Sequence, residues 1–155
     1  GGYGYDIDRD RFLNVFVGKN YKDFLPLFDV KEKDFWNIHE AKKDCYKSFM
    51  SKIRKNEELF RLIEAKRGEC KIALATTASR KNSFDILEHF GVEKLFDFIL
   101  TQDEVQKLKP DPECYMKVMA MAGCRPSEVI IYEDSDVGVQ AAEATKAKVV
   151  RVGIW

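Results

Sequence analysis

From about residue 55 onward, short uninterrupted apolar runs alternate with amphipathic stretches, and this alternation limits the possible folds more than any other feature. "NEELFRLIEAKRG" has helical spacing and stops at a glycine. "CKIALA" is a continuous apolar run of strand length, the pattern of a strand covered on both faces. "SRKNSFDILEHFG" predicts a helix with Ser79 as N-cap and Gly91 as its stop. "FDFIL" predicts a second strand, and "DPECYMKVMAMAG" a helix with Asp111 at the N-cap and Pro112 in the first turn. "EVIIYE", "SDVGVQAAEAT" and "AKVVRV" then repeat strand, helix, strand. Units of this kind build an α/β fold, a three-layer Rossmann-like parallel sheet with right-handed crossovers.

The first third reads differently. "KEKDFWNIHEAKKDCYKSFMSKI" spaces Phe35, Ile38, Ala41, Cys45, Phe49 and Ile53 three or four apart, an apolar stripe on one long helix. The shorter amphipathic pieces "DRFLNVFVG" and "YKDFLPLF" precede it. The pattern changes near residues 51–55, so the expected division is a helical domain over 1–51 and an α/β domain over 52–155. His39 lies among charged neighbours and reads as a solvated side chain. Phe35 and Trp36 read as core of the helical domain.

Charge and composition exclude some partners. The 26 basic and 26 acidic side chains cancel, so no global field recruits nucleic acid or an anionic membrane. No window approaches the ~18 apolar residues that a membrane-spanning helix needs. "GGYGYDIDRD" lacks the basic region and apolar run of a secretion signal, and the cytoplasm is the expected location. Cys45, Cys70, Cys114 and Cys124 form no CxxC pair, which fits free thiols better than a zinc site.

In parallel α/β sheets ligands bind beyond the carboxyl ends of the strands. Three such ends carry polar groups here: Thr76 and Thr77 after "CKIALA", Lys109 in the loop after "FDFIL", and Glu133 with Asp134 after "EVIIY". Together they suit a phosphate and a divalent cation. Thr76 and the amides at the next helix start would donate to phosphoryl oxygens. Lys109 would counter the spreading charge of phosphoryl transfer. Asp134 and Glu133 offer hard oxygen ligands for Mg²⁺, and the metal would make two adjacent carboxylates tolerable. Each piece also has a plain structural role, as strand-end cap, helix start or helix N-cap.

These residues resemble the haloacid dehalogenase superfamily, of the β-phosphoglucomutase and phosphoglycolate phosphatase type with a helical cap. "KIALATTAS" is similar to its second motif, "KPDPE" to its third, and "YEDSDVGVQAAEA" to its fourth. The resemblance implies a helical cap over 1–51, a catalytic, phosphate-binding role for Thr76 and Lys109, and Mg²⁺ at the fourth motif. It also implies transfer through an aspartyl-phosphate from a small phosphorylated metabolite, most simply hydrolysis. A sugar-phosphate mutase and a non-catalytic binding module are the alternatives within this resemblance. A flavodoxin-like or receiver-like Mg²⁺ binder is the alternative outside it.

The chain departs from the family at the first motif, the strand that ends in the nucleophilic Asp-x-Asp. Asp6 and Asp8 have the spacing, but only "GGYGY" precedes them and Arg-Asp-Arg follows, so they read as loop acids. A missing upstream segment, or a complementing chain, is therefore expected to supply the nucleophile. The family's first strand lies between those bearing the second and fourth motifs, so its absence would leave two strand edges unpaired. Lys146 stands where a glycine is usual and would need a left-handed conformation costing ~1 kcal/mol.

Overall fold

The computed structural model describes residues 22 and 25–153, with the side chains of 43–47 left aside. The "DRFLNVFVG" piece, Asp6 and Asp8 lie outside the described residues. The chain divides between Ile53 and Arg54 into two compact units.

In the first unit a 3₁₀ turn, Leu25–Phe28, precedes helix α1, Glu32–Phe49, and a second 3₁₀ turn, Met50–Lys52. Leu25, Phe28 and Val30 are buried. Trp36 is 61% exposed, so it is not the core residue expected of it, and its ring lies near that of His39 with centroids 6.2 Å apart.

The second unit alternates helix and strand in the expected order. Helix α2, Glu57–Lys66, starts at Asn56, whose side chain accepts from the Leu59 amide. Strand β1 is Ala73–Ala75, helix α3 is Arg80–Phe90 and strand β2 is Phe98–Leu100. Helix α4 is Glu113–Ala122, strand β3 is Ile130–Glu133, helix α5 is Asp136–Ala144, and strand β4 is Lys148–Arg151. Ser79 caps α3, and Gly91 ends it with φ 64°. Pro112, one residue later than expected, occupies the N-cap of α4, while the Asp111 carboxylate accepts from the Glu113 amide. Lys146 adopts φ 64°, the left-handed turn its position demanded.

The strands are shorter than their apolar runs. The Ile72 amide donates to the Asp97 carboxylate at 2.7 Å, so a side chain replaces the ladder before β1 begins. β1 pairs in parallel with β2, and β3 in parallel with β4. Among the described residues no ladder joins these two-stranded sheets. Leu100, Cys114, Tyr115, Met119, Ile131, Ala141 and Ala142 form the core between sheet and helices. Only one face of β3 is covered: Ile131 and Glu133 are buried, whereas Ile130 and Tyr132 are about half exposed. No described helix is long and apolar enough to cross a membrane.

Candidate functional site

Lys109 links the two sheets. Its ammonium donates to the Ala75 carbonyl at 3.3 Å and to Oε1 of Glu133. Ala75 ends β1 directly before Thr76, and Glu133 ends β3 directly before Asp134. The sequence-predicted groups are thus gathered at the carboxyl ends of β1 and β3. The Lys109 side chain is 7% exposed and that of Glu133 8%, so their ion pair is withdrawn from water.

Five protein donors surround the Glu133 carboxylate. Oε1 takes Lys109 and the Tyr115 hydroxyl at 2.7 Å. Oε2 takes the Asp134 amide at 3.0 Å, the Ser135 amide at 3.2 Å and the Ser135 hydroxyl at 3.1 Å. Burial alone would push this carboxyl up, but the hydrogen bonds from Lys109 and Tyr115 outweigh it and hold Glu133 at about 2. The Lys109 ammonium therefore balances the charge of Glu133 from within the protein. Both oxygens of Glu133 take protein donors, and Glu133 is the partner of Lys109. Burial, and then the bond to Glu133, push the Tyr115 phenol up, so it stays a donor.

Asp134 is the exposed member of the pair. Among the described residues no three His, Cys, Asp or Glu side chains cluster as a metal cage. Mg²⁺ usually keeps several waters and needs only one or two carboxylates plus substrate oxygens, so the donor set fits with Asp134 as the single carboxylate.

The Thr76 hydroxyl accepts from the Ala78 amide at 3.1 Å, which leaves its own proton to donate. The start of α3 is less open to an anion than expected. Its Arg80 amide donates to Asp103 at 2.6 Å and its Asn82 amide to Ser79. Thr77 is half-buried beside Thr76.

Two further residues shape the site. Glu113 receives the Gln106 amide at 2.9 Å and the Lys107 amide at 2.8 Å, and so closes the loop that carries Lys109. The Lys117 ammonium sits 2.7 Å from the same carboxylate. Ser135 caps α5 by accepting from the Gly138 amide at 3.2 Å. "KPDPE" contains Glu113 in plain view, but the backbone groups it would meet could not be read from spacing.

A family model for haloacid dehalogenase-like hydrolases matches residues 2–152. The chain belongs to this family. It is 33% identical over 120 residues to a phosphorylated carbohydrates phosphatase of Thermotoga maritima, covering 77% of this chain and 55% of that protein. The chain thus spans about half the length of that relative. The structure of β-phosphoglucomutase from Clostridium difficile superposes with a TM-score of 0.78 at 26% identity, covering 99% of this chain and 73% of that one. CbbY from Rhodobacter sphaeroides, at 24% identity, shares the fold with a TM-score of 0.82 over 99% of this chain and 75% of that one. The first of these is named as a phosphatase and the second as a β-phosphoglucomutase.

Proposed function

We propose that the chain is the greater part of a Mg²⁺-dependent phosphatase acting on a small phosphate monoester. The observation that carries this reading is the buried Lys109 ammonium, fixed where the ends of β1 and β3 meet. An ammonium has three N–H donors. Ala75 and Glu133 take two, and the third is left for a phosphoryl oxygen. Thr76 offers its hydroxyl proton from the neighbouring strand end. Asp134 would hold Mg²⁺, which supplies charge neutralisation at the phosphoryl group when bound.

The attacking group in this reading is a carboxylate from an Asp-x-Asp segment that enters beside β1 and β3. The carboxylate oxygen forms the new bond to phosphorus, and the ester oxygen departs with a proton from an acid. Water then cleaves the acyl phosphate and releases inorganic phosphate. Such a segment, either upstream in the same polypeptide or from a complementing chain, is supported by the unjoined edges of the two sheets. A phosphorylated sugar is the substrate class favoured by the named relatives, and a mutase would use the same groups with water excluded.

The test is binding of inorganic phosphate in Mg²⁺, followed by calorimetry. Thr76→Val and Lys109→Met should each weaken it by roughly 10-fold or more, the cost of one charge-assisted hydrogen bond. Asp134→Asn should weaken Mg²⁺ itself. Phosphate affinity unchanged in Thr76→Val and Lys109→Met would overturn the reading.

A further inference from the structure

Tyr115 stands out among the buried polar groups, because the phosphoryl-transfer reading does not use it. It lies on the first turn of α4, 7% exposed, and reaches back to the ends of β1 and β3. Its hydroxyl donates to Glu133 Oε1, the oxygen that also receives Lys109. Its ring lies under the Lys109 ammonium, 4.8 Å from nitrogen to centroid. One side chain therefore touches both members of the ion pair, by two different interactions.

The chemistry of that double contact has a direction. A carboxylate oxygen that accepts from a phenol has less electron density to offer an ammonium. Sharing Oε1 with Tyr115 moderates the pull of Glu133 on Lys109 and leaves more of its charge for an anion. The ring face attracts the cation as well, which limits where the nitrogen can move. Tyr115 belongs to the same buried core cluster as Cys114, Met119 and Ile131.

We infer that Tyr115 is a positioning residue, which aims the Lys109 ammonium at the anion site while it stays paired with Glu133. What Lys109 serves rests on the phosphoryl-transfer reading, whereas the aim of its nitrogen does not. Tyr115→Phe keeps the ring and deletes the hydroxyl. Tyr115→Leu deletes both.

The experiment uses the full-length protein and two readouts. The first is the ¹⁵N and ε-CH₂ resonance of Lys109, assigned by its loss in Lys109→Met, since a methylene chain beside an aromatic ring carries a ring-current shift. The second is binding of inorganic phosphate in Mg²⁺, with thermal unfolding as the control. Tyr115→Phe should move the Lys109 ¹⁵N signal, keep most of the ring-current shift and weaken phosphate binding about 10-fold. Tyr115→Leu should abolish the ring-current shift as well. If Tyr115→Phe lowers the melting temperature but leaves the Lys109 signal and phosphate affinity unchanged, Tyr115 is a packing residue and the inference is overturned. If native protein binds no phosphate, the function proposed above fails, and the Lys109 signal alone decides the role of Tyr115.

Discussion

Gly138 sits on the first turn of α5, under the carboxylate of Glu133. A Cβ at this position would collide with all three atoms of that carboxyl group, which is itself pinned by five donors. In an ordinary helical site Gly→Ala gains roughly 0.5–1 kcal/mol. Here the collision with a pinned group reverses the sign, and Gly138→Ala should cost about 1–3 kcal/mol in a urea titration. The ion pair beside it behaves by a different rule. Removing one partner of a buried pair strands the other charge, at a cost of about 3–5 kcal/mol. Lys109→Met should therefore destabilise strongly, and Lys109→Met combined with Glu133→Gln should recover part of the loss. A loss in the double variant equal to the sum of the two single losses would show that the pair is not coupled. Lys109 and Glu133 could both be picked out of the sequence by their places after successive strands. That they meet each other depends on a contact across 24 residues that no spacing rule supplies.

The loop from Gln106 to Asp111 is held by an acid at its far end. Glu113 accepts two loop amides and faces Lys117, and these bonds, that from Lys117 first, bring its carboxyl from 4.5 to about 2. Between these two values the unfolded chain binds a proton that the folded one does not, so stability falls as pH falls. The contribution is full above about pH 4.5 and is lost as pH drops towards 2. Acid unfolding followed by circular dichroism should show this loss, and Glu113→Gln should flatten the curve through that window. A variant curve parallel to the native one would remove Glu113 from the loop's support. Helix starts and stops were largely readable, since Ser79, Gly91 and Lys146 act through their own backbone or the next turn. The strand ends were less so, because Asp97, 25 residues away, takes the Ile72 amide and trims β1. Hydrophobicity marks where a strand can run, and hydrogen-bond partners decide where it does.

Two parallel pairs, β1 with β2 and β3 with β4, leave β1 and β3 each with one edge open among the described residues. Which groups face that edge follows from the ladder. The Thr76 amide donates to Leu100, and Lys148 and Val152 donate to the carbonyls of Val129 and Glu133. Strand groups alternate in direction. The amides of Leu74, Ile131 and Glu133 therefore point into a ladder, and those of Ala73, Ala75, Ile130 and Tyr132 point out of one. Lys109 covers one outward carbonyl, that of Ala75. Amides without a ladder partner exchange with solvent through small local fluctuations. Hydrogen exchange followed by NMR should find these four amides faster than their inward neighbours in the same strands. Adding a synthetic peptide with an apolar run ending in Asp-x-Asp should slow them selectively, since a parallel strand in that place satisfies both edges at once. Protection at Ile130 and Tyr132 equal to that at Ile131, before any peptide is added, would mean that the edges are already paired. The strand-entry part of the proposed function would then have to be given up.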